Sequence, residues 1–96
     1  MIEESAKEQI KKTVEKYLWG TNYKIFIFGS RATSEHRPFS DIDLGILSQE
    51  KIPGHIMVRI EEELENSRIP YKIDVVDFKS VSSQFKNVAL RKVIYL

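Results

Sequence analysis

The chain contains no cysteine, which removes disulfides, thiolate zinc sites and a thiol nucleophile together. Its two histidines, His36 and His55, stand far apart in sequence, and no metal-ligand spacing links either to another soft ligand. No apolar run approaches the ~20 residues needed to span a bilayer. Charge of one sign is also lacking: 15 Lys+Arg against 14 Asp+Glu leave a formal +1. Such balance gives no whole-molecule attraction toward nucleic acid or an anionic membrane, so a polyanion would have to be held by a local site. The first residues, Met1-Ile2-Glu3-Glu4-Ser5, lack the basic start of a signal peptide. These absences lead us to expect a cytoplasmic protein, with a reducing compartment as its natural setting.

What is present suits a small folded domain. Hydrophobic residues make up 42% and charged residues 30% of the 96 positions, outside the range of disordered chains. A chain of this length buries about 60–65% of its unfolded surface. One domain over residues 1–96 is expected, with no repeat or linker.

Ala6, Ile10, Val14 and Leu18 recur at steps of four between Lys, Glu and Gln, the mark of a one-faced helix over 5–19. Gly20-Thr21-Asn22 stops it. Tyr23 to Phe28, aromatic and β-branched, predicts a buried strand. Gly29-Ser30 ends that strand, and 31–34 has room for a helical turn before a loop over 35–40. Asp41 to Leu47 alternates, with Ile42, Leu44 and Ile46 on one face and Asp41, Asp43 and Gly45 on the other. A second helix begins near Pro53 and turns Ile56 or Met57, Ile60 and Leu64 inward. Tyr71 to Asp77 reads as a third strand. Ser80, Ser82 or Ser83 caps a last helix that carries Phe85, Val88, Ala89 and Val93 inward. The order α-β-(short α)-β-α-β-α predicts an α/β (α+β) fold, a sheet flanked by helices. Because the first two strands are joined by a short connection, the sheet is expected to be mixed.

The chemistry concentrates in Gly29-Ser30-Arg31-Ala32 and Ser40-Asp41-Ile42-Asp43-Leu44. Asp41 and Asp43 leave one face of a strand, and two like charges so close are costly unless a cation sits between them. Hard oxygen ligands suit Mg²⁺ or Mn²⁺. Alone, the pair reads more simply as ordinary solvated acids on an open sheet face. The preceding Gly29-Ser30 changes the balance: a strand-end glycine lets backbone approach a phosphate, a following helix start offers free N–H groups, and Arg31 can add charge. The third strand supplies Asp74 and Asp77 on opposite faces. Asp74, inside the apolar run Ile73-Asp74-Val75-Val76, is expensive without a role, so it is assigned to the site and Asp77 to structure.

Gly29-Ser30, the Asp41-Ile42-Asp43 pair and a later strand acid resemble the signature of the DNA polymerase beta nucleotidyltransferase superfamily. The fuller string, with Ile73-Asp74-Val75-Val76-Asp77, is similar to its small members, the minimal nucleotidyltransferases of HEPN/MNT type. The resemblance implies a nucleotidyltransferase fold in which Asp41, Asp43 and Asp74 hold two Mg²⁺ ions. It also implies that Gly29 and Ser30 grip the NTP phosphates and that Asp74 lies nearest the attacking hydroxyl; Arg31, directly after Ser30, is assigned to the same phosphate grip by its position. It implies transfer of AMP from ATP to a tyrosine of a HEPN-domain toxin, an antitoxin role. Transfer to a small molecule or an RNA end, and a non-catalytic binding module of the same fold, remain as alternatives. A homo-oligomer is allowed, and neither a membrane nor a strong nucleic-acid signal is present.

Other residues read more simply. His36 and Arg37 fit a solvated loop, and Trp19 fits the core. The Glu61–Glu65 run is a solvated helix face, for want of opposing ligands. Val93-Ile94-Tyr95-Leu96 reads as the last turn of a core-packed helix rather than a contact patch.

Overall fold

The computed structural model describes residues 4–29 and 41–96. Ser30, Arg31, the helical turn expected over 31–34 and the loop over 35–40 with His36 and Arg37 lie outside the described residues. Helix α1 spans Glu4–Leu18, strand β1 Tyr23–Phe28, β2 Ile42–Ser48, α2 Gly54–Glu65, β3 Ile73–Asp77, α3 Ser83–Ala89 and β4 Ile94–Tyr95.

The sheet order is β3-β2-β1-β4. β1 runs antiparallel to β2 and to β4, while β2 and β3 are parallel. The mixed sheet expected from the sequence is therefore the one formed, and α2 is the crossover that a parallel neighbour requires.

Period-2 alternation sorts the strands into two faces. Ile25, Ile27, Ile42, Leu44, Ile46 and Val75 meet Ala6, Ile10, Val14 and Leu18 of α1 and Ile60 and Leu64 of α2. Each such aliphatic side chain, once fully buried, contributes about 1.5–3 kcal/mol relative to exposure. On the other face Phe26, Phe28 and Phe78 form a second cluster, against which Val76, Ala89, Leu90 and Val93 pack. The Phe26 and Phe78 rings meet edge-on at 4.8 Å, and Phe28 and Phe78 at 5.1 Å. Gly45 makes this possible, since a Cβ there would overlap the Phe26 and Phe78 rings.

Three expectations are corrected. Trp19 is 78% exposed rather than core: it lies one residue past Leu18, and a step of 100° takes it off the apolar stripe. Val88 points outward at 63% exposure, because the seven-residue α3 turns Phe85 and Ala89 toward the aromatic cluster, the Phe85 ring lying 6.0 Å from Phe28 and 5.8 Å from Phe78 while remaining 42% exposed. The chain after Val93 is not a helical turn but β4, which pairs Tyr95 with Phe26 and Ile94 with Ile27. Of the three serines considered, Ser82 is the cap, its Oγ accepting from Phe85 N at 3.1 Å.

Candidate active site

Asp43 lies on β2 directly across from Phe28 of β1 and from Asp74 of β3. Residues paired across a ladder share a face, so Asp43, Asp74 and the Phe28 ring stand side by side on the aromatic face. Asp41 precedes β2 and is exposed, whereas Asp43 and Asp74 are half-buried. The register thus brings Asp43 and Asp74 together, with Asp41 close enough to act on Asp43 electrostatically.

That proximity appears in the ionisation of Asp43. Its carboxyl is raised above the ordinary value of 3.8, first by burial, then by the charge of Asp74 and then by that of Asp41. Losing water and gaining two like-charged neighbours both disfavour the carboxylate, and a bound cation would reverse both effects. As the side chains stand, no group of three His, Cys, Asp or Glu among the described residues closes on a common point. Asp74 instead leans toward Lys72, whose Nζ lies 3.8 Å from Oδ1. Both side chains are about half exposed or more, so the pair contributes under about 1 kcal/mol and yields readily to a ligand.

Gly29 completes the described part of the site. Its φ of 74° is in the left-handed region, and a Cβ there would overlap the Asp43 carboxylate. The strand-end glycine is therefore required twice over, by backbone conformation and by the approach of backbone to acid.

Asp77 takes the structural part expected of it. It is buried, and it accepts from the backbone N–H of Ile52 and of Lys79, each at 2.9 Å. It ties the loop after β2 to the end of β3. The partnership of Lys72 with Asp74 was missed at the level of sequence, although the two-residue spacing that marks Asp41 and Asp43 also marks this pair. A larger cavity, of about 780 Å³, opens at the opposite edge of the sheet beside Lys11, Lys12, Tyr95 and Leu96. None of the three acids lines it. Size alone therefore points away from the chemistry, and the carboxylates are the better guide.

A strand-end glycine pressed on an acid, and a second acid in register on the neighbouring strand, are features of a nucleotidyltransferase core. The model of the polymerase beta nucleotidyltransferase family matches residues 8–96, and the chain belongs to that family. It is 32% identical over 72 residues to the probable protein adenylyltransferase MntA of Haemophilus influenzae, a stretch covering 75% of this chain and 62% of that protein. The chain thus spans under two thirds of that relative's length. Among solved structures, it is similar to a chain from the complex of tri-AMPylated Shewanella oneidensis HEPN toxin with MNT antitoxin. There the TM-score is 0.75 at 18% identity, covering 98% of this chain and 71% of that one. A toxin–antitoxin structure with AMP-PNP gives a TM-score of 0.76 at 20% identity, covering 92% and 69%. At such identities these structures establish the nucleotidyltransferase fold alone.

Proposed function

We propose that this protein is a nucleotidyltransferase that moves AMP from ATP onto a hydroxyl, the acceptor being a tyrosine of a HEPN-domain toxin partner in the cytoplasm. The observation that carries this reading is the register of Asp43 with Asp74, with Gly29 pressed against Asp43. The family and the relative named for protein adenylylation support it, as do the HEPN–MNT complexes among its structural relatives.

The donor set fits Mg²⁺: three carboxylates, all hard oxygen ligands, of which Asp43 is held in a state that a cation would relieve. Asp41, Asp43 and Asp74 would hold it. When bound, two such ions would activate the attacking oxygen and screen the α-phosphate and departing pyrophosphate. The chain's own residues orient the partners. Gly29, lacking a Cβ, leaves its backbone open to the triphosphate, and we assign Ser30 and Arg31 to the same grip. Asp74, half exposed at the sheet edge, accepts the hydrogen bond of the incoming hydroxyl. The hydroxyl oxygen then bonds to the α-phosphorus, the bond from that phosphorus to the bridging oxygen breaks, and pyrophosphate leaves with the electron pair. The hydroxyl proton passes to Asp74 and on to water.

The test is label transfer in lysate of the native host. Wild-type protein and the Asp41→Asn/Asp43→Asn variant are supplied with Mg²⁺ and each of the α-³²P-labelled NTPs in turn. A labelled protein band made only by the wild type, and best from ATP, is the expected result. Label in RNA or in a small molecule would move the acceptor to another class. No label anywhere from a folded wild type would favour a non-catalytic module that blocks its partner by contact.

A further inference from the structure

We propose that the groove along the outer edge of β3 is the acceptor channel. It takes an extended polypeptide segment whose hydroxyl-bearing residue is flanked by cationic side chains. This rests on the nucleotidyl-transfer reading of Asp41, Asp43 and Asp74, and it names what that site selects.

β3 is an end strand of the sheet. Its bonds to β2 include Lys72 O accepting from Ile42 N and Phe78 N donating to Ile46 O, each at 2.9 Å. Backbone groups alternate along a parallel ladder, so those of Ile73 and Val75 turn to the outer side. No described strand pairs with that side. An extended segment laid there would find main-chain donors and acceptors already aligned, as in strand addition at other sheet edges.

A groove of about 470 Å³ runs beside this edge, and its lining includes Glu61 and Glu65 of α2, Ile69, Ile73 and Asp74. It therefore leads from the C-terminal half of α2 to the acid placed nearest the attacking hydroxyl. Glu61 and Glu65 are exposed and one turn apart, so both face the same stretch of groove.

Charge decides the class of occupant. Among the described lining residues, Glu61, Glu65 and Asp74 put three carboxylates on the wall against the one ammonium of Lys72, which already lies against Asp74. A polyanion such as an RNA end would be repelled along the whole approach, and a cationic flank would be drawn in. The open strand edge favours polypeptide over a compact small molecule. With the segment seated, its hydroxyl meets Asp74 and the transfer proceeds with the balance given above.

The test is an NMR titration of the ¹⁵N-labelled full chain with three probes: a tyrosine peptide flanked by arginines, its counterpart flanked by glutamates, and oligoadenylate. The arginine peptide is expected to shift the amides of Glu61, Glu65, Ile73 and Val75 and to bind at least tenfold more tightly than the glutamate peptide. Glu61→Lys/Glu65→Lys should reverse that order. The milder Glu61→Gln/Glu65→Gln should weaken the arginine peptide several-fold, and both variants should keep the melting-temperature rise given by Mg²⁺-ATP. Equal binding of the two peptides, an order unchanged in the Lys variant, oligoadenylate binding at these amides, or no shift by either peptide at millimolar concentration would overturn the proposal. If Mg²⁺-ATP raises the melting temperature while the peptides fail, only the acceptor channel falls. If the peptides obey charge but Mg²⁺-ATP has no effect, the nucleotide-transfer reading falls.

Discussion

Asp43 has a cost that the folded protein carries without its cation. Its folded-state carboxyl is raised above 3.8, so the native state binds its proton more tightly than the unfolded chain does. The stability lost to this group is absent below the ordinary carboxylate value. It sets in as pH rises from there through the raised folded value, and it is complete at neutral pH. Asp43→Asn should therefore melt higher than wild type at pH 7, with the gain shrinking toward zero as pH falls below about 4, while transfer is abolished. Melting curves across pH check the sign. Gly29 and Gly20 offer a matched pair, with φ of 74° and 84°. Alanine at either should cost roughly 1–2 kcal/mol of backbone strain. Nothing lies within 4 Å of a Cβ at Gly20, whereas at Gly29 it would overlap Asp43. Gly20→Ala should thus keep its nucleotide-transfer rate, and Gly29→Ala should lose most of it; paired melting and transfer assays separate strain from site.

At the level of elements, the link between the loop after β2 and the end of β3 hangs on one buried carboxylate. Asp77→Ala would leave the N–H groups of Ile52 and Lys79 without their acceptor, at a cost of about 2 kcal/mol. For a domain of this size that lowers the melting temperature by roughly 10 °C, which calorimetry would detect, with transfer by the remaining folded protein unchanged. The elements that long periodic patterns define, the α1 stripe of Ala6, Ile10, Val14 and Leu18 and the alternation of β2, were legible in the sequence. Strand parity also separated Asp74 from Asp77, one in register with Asp43 and one buried under the loop. β4 was not legible, because two residues are too few to display a period and its place is set by pairing with β1. Trp19 and Val88 failed for a related reason: hydrophobicity was read as burial where the helix had ended or was too short to bury a second row.

Across the whole molecule, the fold separates two tasks by face. Helices α1 and α2 cover one side of the sheet with aliphatic packing, which leaves the aromatic face free to carry Asp43 and Asp74 at the start of their strands. The family could be read from the sequence because its signature residues sit at strands whose register is fixed by the buried face; a slip of one residue would turn Asp43 and Asp74 into the core. The groove beside Glu61 and Glu65 could not be read, since it arises from α2 and β3 meeting across the crossover, whereas the Lys72–Asp74 contact is local to the start of β3.

The central claim is that the α-phosphorus, not the γ-phosphorus, is transferred by the carboxylates of β2 and β3. The measurement that meets it most directly is a comparison of [α-³²P]ATP with [γ-³²P]ATP, using wild type and Asp41→Asn/Asp43→Asn with Mg²⁺ and the labelled acceptor isolated from lysate. The account predicts acceptor label from the α-phosphate alone, γ-label released as pyrophosphate, and neither product from the variant. Acceptor label from the γ-phosphate, or equal transfer by the variant, would contradict it.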